Sequence, residues 1–269
     1  MINPEAILPE LHGETVAIAF HDLHTGQEFL INADESFHPA STIKVAVMME
    51  VFNQVKKGLF WLDDELPIIN LFKSIVDESI FSVNSQDDSE TSLYDKIGST
   101  VTIGELTRLM IVRSSNLATN ILIQRVSAVC VNALLKELGV EGVQVLRGPE
   151  DNKAFALGLN NSATARGLMQ IAKLLIEGKV VSFDASEDMI KIMRGQEFNE
   201  GIPAGLPKEY KVAHKTGWND KHYHDFGVVF PDRREPYALA IMTSGFENME
   251  SAHKAVAKIS KSIQEKALA

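Results

Sequence analysis

Residues 43–58 read IKVAVMMEVFNQVKKG, and up to Asn53 nearly every position is apolar. A helix without a polar face cannot lie on a surface; other elements must surround it. The chain is therefore built around a buried helix that stops near Gly58. The head of this helix carries Ser41 and Lys44, three positions apart. A hydroxyl and an ammonium group at the edge of a core need an explanation.

The surrounding elements follow from pattern. ETVAIAF (14–20) alternates in β fashion, and QEFLI (27–31) follows the turn residues Thr25-Gly26, which together read as a hairpin. Asn3-Pro4 suits a short helix start with Gly13 as its stop. TIGELTRLMIVRSSN (102–116) opens with Thr102 and Glu105 in capping-box spacing. NLATNILIQRVS, CVNALLKELG and SATARGLMQIAKLLIEGK (162–179) read as further helices, the last with Ser162 as cap. Cys130 falls in the second of these as a small core residue and, being the sole cysteine, leaves no intrachain disulfide. NSQDDSETS (84–92) reads as an exposed polar loop or hairpin tip. EYKVAHKTG (209–217), HDFGVVF (224–230) and YALAIMTS (237–244) are strand-like, with PDRREP (231–236) as a turn and an amphipathic helix closing the chain.

β elements thus stand at both ends and helices between, with no linker composition. The expected fold is α/β in an α+β arrangement: one domain over 1–269, with 1–38 plus 205–269 as an α/β lobe and 39–204 as an inserted helical lobe. At 269 residues and 45% hydrophobic content the chain can bury such a core. A cleft at the seam is the expected ligand site.

Three polar groupings supply chemistry there. A serine in the first turn of a helix meets the positive end of the helix dipole, and a lysine pressed against apolar neighbours favours its neutral form. Ser41 is thus a candidate nucleophile and Lys44 its base. Ser-x-x-Lys alone is expected about once by chance in such a chain, and Ser251-Ala-His-Lys254 is a second match. Only Ser41 heads an apolar run. Ser114-Ser115-Asn116 lies at a helix-to-helix junction, where it reads either as caps or as a proton relay with an amide-binding side chain; Ser82-Val-Asn84 shows that the pattern also arises casually. Lys215-Thr216-Gly217 ends a strand, where it reads as a plain strand terminus or as a carboxylate holder beside a glycine that admits substrate. The conjunction, in this order and on these element types, is more specific than any one member.

With these motifs and their flanks, FHPASTIKVAVMMEVF, LMIVRSSNLATNILI and HKTGWNDKHYHDFGVVF, the chain resembles the class A β-lactamase and penicillin-recognising serine hydrolase family. The resemblance implies a five-stranded antiparallel sheet with terminal helices beside a helical lobe. It implies that Ser41 is acylated, that Lys44 is its base, and that Ser114 protonates the leaving nitrogen. Asn116 would meet the substrate amide, and Lys215 and Thr216 its carboxylate. The oxyanion hole would use the N–H groups of Ser41 and of Asn219, two residues beyond Gly217. Deacylation in such enzymes needs a glutamate two residues after an arginine. LRGPEDNKAF has Arg147 but Pro149 at that place, with Glu150 one residue late. Either the loop bulges to bring Glu150 to the water, or Glu150 and Asp151 are solvated acids paired with Arg147 or Lys153. Ser115 stands where aspartate is usual. Beyond Lys215 no arginine follows on the next strand, only Lys221, His222 and His224.

His222 and His224 share a strand face, with His214 nearby. No further ligands complete a zinc set, so no metal site is expected, and His224 with Asp225 reads as a polar lining or hydrogen-bonded pair. No cofactor is indicated. A net charge of −10 argues against nucleic acid and anionic lipid as partners. The N-terminus shows no signal-peptide pattern, so a cytoplasmic protein is expected unless the chain is a trimmed form of an exported one. The functional expectation is a serine hydrolase acting on a β-lactam or related amide or ester. The alternatives are a cytoplasmic esterase or peptidase of the same fold, and a penicillin-binding sensor that acylates without turnover.

Overall fold

The computed structural model describes residues 7–8 and 11–267. The helix start at Asn3-Pro4 lies outside the described residues. β1 (Thr15–Asp22) and β2 (Glu28–Ile31) form the hairpin, and a 3-10 turn (Ala40–Ile43) leads into α1 (Lys44–Lys56). The next stretch holds the short strands β3 (Glu65–Pro67), β4 (Phe72–Lys73), β5 (Ile80–Phe81) and β6 (Thr100–Thr102). Then come α2 (Ile103–Val112), α3 (Asn116–Val126), α4 (Ala128–Glu137), β7 (Val143–Gln144), α5 (Asn152–Ala156) and β8 (Ser162–Ala163). α6 (Ala165–Ile176) and α7 (Phe183–Met193) precede β9 (Lys211–Asn219), β10 (His222–Phe230), β11 (Tyr237–Ser244) and α8 (Met249–Ala267).

The five long strands make one antiparallel sheet in the order β2-β1-β11-β10-β9. β1 and β11, at its centre, are largely apolar on both faces because both faces are covered. Ile18, Phe20, Leu239 and Ile241 meet Val256, Ile259 and Ile263 of α8. On the other face Ala17, Ala19, Ala238 and Ala240 belong to the core shared with the helices. These small side chains let α6 lie directly on β1, β10 and β11. α1 sits inside this second core, with Val45 through Met49 fully buried. Its one buried carboxylate in mid-helix, Glu50, accepts from Asn53 Nδ2 (2.8 Å) and Gln54 Nε2 (2.7 Å).

Several local expectations are corrected. α6 is capped by Thr164, whose Oγ1 accepts from Gly167 N, and Ser162 lies in β8 instead. Cys130 is exposed, because α4 buries Val131, Leu134 and Leu135 and Cys130 falls off that stripe. Thr102 caps α2 through Glu105 N, but the Glu105 carboxylate turns to Arg108 rather than back to the cap. α7, capped by Ser182 through Ala185 N, is a helix beyond those expected from the sequence. The 84–92 segment is not simply exposed: Asp88 and Glu90 are buried. Among the described residues no single helix is long and apolar enough to cross a membrane.

Met48 is fully enclosed on α1. Met48→Ala should lower stability by about 2–5 kcal/mol, the usual cost of emptying such a site, as read by urea denaturation; a loss well under about 1 kcal/mol would mean the helix is not central to the core.

Candidate active site

A cleft of about 810 Å³ runs between the helices and the edge strand β9. Ser41 lies on its wall in the 3-10 turn that precedes α1. The turn is held by Thr42 Oγ1 donating to the Pro39 carbonyl (2.7 Å) and Ala40 N donating to His38 Nδ1 (3.2 Å). Ala40 has φ +47°, a left-handed conformation that alanine adopts at a cost. Gly217 of β9 packs against the same turn: a Cβ there would stand 2.7 Å from Ser41 N and 2.9 Å from Thr42 N. This is the contact that requires glycine in Lys215-Thr216-Gly217.

Lys44 is 1% exposed. Its Nζ donates to the Ser114 carbonyl (2.6 Å), Asn116 Oδ1 (2.9 Å) and Ser114 Oγ (3.3 Å). Burial pushes its pKa down to about 7, against the opposing pull of the Asp88 and Glu150 carboxylates. Among the described residues Lys44 forms no hydrogen bond to Ser41; its ammonium is turned to the Ser114 junction instead. Ser114 (φ +58°) presents its carbonyl and hydroxyl to the same lysine. Lys215 approaches from the other side, its Nζ donating to Ser114 Oγ (3.0 Å) and the Thr216 carbonyl (2.8 Å). Burial first, then the charge of Lys44, holds the Lys215 pKa well below the usual lysine value. A hydroxyl between two amines of depressed pKa can pass a proton either way.

Asn116 links Lys44 to Glu150: its Oδ1 accepts from the ammonium and its Nδ2 donates to Glu150 Oε1 (3.1 Å). The loop does bulge. Glu150 takes φ +65°, and Asn120 Nδ2 holds the Pro149 carbonyl (3.1 Å). Glu150 Oε2 accepts from Asn84 N (2.7 Å). Burial raises the Glu150 pKa, with Asp87 and Asp88 adding to the rise. The solvated-acid reading of this loop is thus overturned. Asp151 is buried on Ser74 Oγ, Ile75 N and Ala154 N, Arg147 bonds Leu159 O and Asn160 Oδ1, and Lys153 pairs with Asp77.

Lys215 and Thr216 are 0% exposed and lie beneath the cleft, not on its wall, and among the described residues the Thr216 hydroxyl has no hydrogen-bond partner. The Asn219 side chain closes the β9–β10 turn, its Oδ1 accepting from Lys221 N and His222 N. The Thr216 carbonyl faces the open edge of β9, where Lys215 reaches it. Backbone groups on an edge strand alternate in direction, so the next N–H aimed at the cleft belongs to Trp218 rather than Asn219. The second Ser-x-x-Lys match is inert: Lys254 is solvated and paired with Glu250.

The sequence profile of the β-lactamase enzyme family matches residues 5–267. The chain belongs to this family. A β-lactamase of Streptomyces fradiae is 24% identical over 243 residues, 89% of this chain and 76% of that protein. The β-lactamase CTX-M-97 of Escherichia coli is 26% identical over 236 residues, 86% of this chain and 77% of its own. A mutant of PBP-A, solved as an acyl-enzyme complex with penicillin G, superposes with a TM-score of 0.80 at 26% identity, covering 94% of this chain and 89% of that one. The five-stranded sheet with its helices is accordingly the β-lactamase and transpeptidase fold, and the chain is a hydrolase of the serine β-lactamase family.

Within this family site the histidines do structural work. His224 Nδ1 accepts from Thr243 N (3.1 Å), which fixes Nε2–H as the donor to the His38 carbonyl (2.9 Å). Burial drives its pKa down to about 3, so it is neutral. Asp225 does not pair with His224, because adjacent strand residues face opposite ways; it accepts from His214 Nδ1 (2.8 Å) and Ile202 N (2.8 Å) on the other face. Asp88 and Trp218 are not among the residues the sequence marks; Asp88 sits in a polar run with no periodicity. Asn84, part of the casual Ser-x-Asn match, reaches Glu150 through its backbone N–H.

The site makes a titration prediction. With 13C-labelled lysine, the Cε resonances of Lys44 and Lys215 should both titrate below those of exposed lysines at about 10.4, that of Lys44, identified by its loss in Lys44→Met, near pH 7. Glu150→Gln removes a charge that favours the ammonium, so the midpoint should fall further. A rise, or no lysine titrating below about 9, would contradict the electrostatics described.

Proposed function

We propose that the chain is a serine acyl hydrolase of the class A type that opens a β-lactam or a related amide or ester through an acyl-enzyme on Ser41. The observation that carries this reading is Ser114 Oγ held between two buried lysines, Lys44 at 3.3 Å and Lys215 at 3.0 Å, beside the Ser41 turn. The acyl-enzyme of the PBP-A relative supports it.

In the forward half, neutral Lys44 takes the Ser41 proton as Oγ attacks the substrate carbonyl. The hydrogen bond this needs is absent from the resting arrangement; such contacts often form only with substrate in place. The developing oxyanion receives the N–H of Ser41 and, by the strand alternation, that of Trp218 in place of Asn219. Each such donor contributes roughly 10²–10³-fold to rate. The proton held by Lys44 passes through Ser114 Oγ to the leaving nitrogen, and the C–N bond breaks. Asn116 holds Lys44 and meets the substrate amide. In the second half Glu150 takes a proton from water, whose oxygen attacks the ester; the acyl C–O bond to Ser41 Oγ then breaks, and the proton held by Glu150 returns to Oγ. Lys215 and Thr216, buried beneath the cleft, would act on the substrate's anionic end through the charge of Lys215 rather than by lining the wall.

A second reading, an esterase or peptidase of the same fold, draws support from the burial of the Thr216 hydroxyl, which leaves that end of the cleft without an exposed donor. A sensor that acylates and stops is disfavoured by the fixed position of Glu150 next to Asn116.

Mixing with a chromogenic β-lactam while following absorbance and intact mass separates these. Repeated turnover is the expected result. A lasting adduct on Ser41 identifies the sensor, and hydrolysis of p-nitrophenyl esters alone identifies the esterase. Retained activity in Ser41→Ala on every substrate would sink all three. Glu150→Gln should slow deacylation by about 10²–10⁴-fold while acylation changes far less; equal slowing of both steps would remove Glu150 from the second half.

A further inference from the structure

One buried carboxylate at the site has no role in the reaction just described. Asp88 stands in the 84–92 segment and is 6% exposed. Its Oδ2 accepts from Asn116 N (2.9 Å), Leu117 N (2.9 Å), Ser115 Oγ (3.3 Å) and Tyr94 OH (2.9 Å), and its Oδ1 from Glu90 N (3.0 Å). Ser115 Oγ accepts from Ala118 N (3.1 Å). The first three N–H groups of α3, which have no partner inside the helix, are therefore shared between Asp88 and Ser115. The same segment reaches Glu150 through Asn84 N and Asn116 Nδ2 through the Asp87 carbonyl (3.4 Å).

We propose that Asp88 is a positioning residue: it pins the Ser114–Asn116 junction against Lys44 and sets a negative charge behind that junction. The groups around Lys44 make the second part specific. Asp88 and Glu150 favour the ammonium, burial opposes it, and the neighbouring Lys215 is the other cation. Asp87, on the same segment, acts on Glu150 and Tyr94, and burial with Asp88 holds the Tyr94 hydroxyl protonated. A residue that merely capped α3 would change stability and leave the titration of Lys44 alone.

The inference rests on the acyl-transfer reading only for its rate measurement; the lysine titration stands without it. Asp88→Asn keeps an acceptor for the helix N–H groups but removes the charge. Its Lys44 resonance should titrate at lower pH than in the parent, by roughly half a unit or more, and acylation should slow by about tenfold. Ser115→Asp alone would set a second carboxylate about where Ser115 Oγ now lies, 3.3 Å from Asp88 Oδ2, and should destabilise the fold. The exchange Asp88→Ser with Ser115→Asp restores a single carboxylate about where Ser115 Oγ lies, 3.3 Å from the present Asp88 Oδ2. It should return the Lys44 midpoint to within about 0.3 unit of the parent and rescue whatever rate Asp88→Ser loses.

An unchanged Lys44 midpoint in folded Asp88→Asn overturns the proposal. So does a double exchange no better than Asp88→Ser. If Asp88→Asn fails to fold by circular dichroism, the double exchange decides: folding with the parent midpoint supports the proposal, and failure to fold overturns it. A parent protein that shows the low lysine midpoint but attacks no substrate counts against the proposed function, not against the role of Asp88 in setting that midpoint.

Discussion

A buried ammonium group organises this molecule. Taking Lys44 out of water disfavours its charged form by several kcal/mol unless neighbours replace the lost hydration. The replacements come from sequence-distant places: the carbonyl and hydroxyl of Ser114, the amide oxygen of Asn116, and the carboxylates of Asp88 and Glu150. The balance brings the pKa to about 7, where both protonation states are accessible. α1 must be enclosed for this to hold, so the apolar run behind Lys44 and the chemistry in front of it are one constraint.

The surrounding backbone is bent to serve that contact. Eight non-glycine residues among those described have positive φ, and Ala40, Ser114 and Glu150 are three of them. Each such conformation costs of order 1–3 kcal/mol and persists only where packing enforces it. Here the enforcing contacts are visible: His38 Nδ1 on Ala40 N, two lysines on Ser114, and Asn84 and Asn116 on Glu150. Gly217 lets the edge strand close on the Ser41 turn without a side chain between them.

Much of this was legible in the chain because it rests on local rules. Strand alternation and the Thr25-Gly26 turn marked the hairpin, strand-like composition the three late strands, and the unbroken apolar run α1. Ser41, Ser114-Ser115-Asn116 and Lys215-Thr216-Gly217 fell on the element types that let them converge. What was not legible depends on tertiary contact. Nothing in NSQDDSETS distinguishes Asp88, which is buried by α3, from its exposed neighbours. The bulge that brings Glu150 to Asn116 needs Asn120 to hold Pro149, a contact across 29 positions. Asp225 pairs with His214 across the sheet rather than with its sequence neighbour, a matter of strand register. Cys130 and the cap of α6 were lost to one- and two-residue offsets, to which helix faces and ends are sensitive.

The claim that Lys44 is the working base is tested most directly by the pH dependence of Ser41 acylation in single-turnover experiments, followed by intact mass. The rate should rise through an apparent pKa near 7, the value set for Lys44 by burial, and Lys44→Met should lower the plateau by about 10²–10⁴-fold. An acylation rate that is flat across this range, or that survives Lys44→Met, would contradict it.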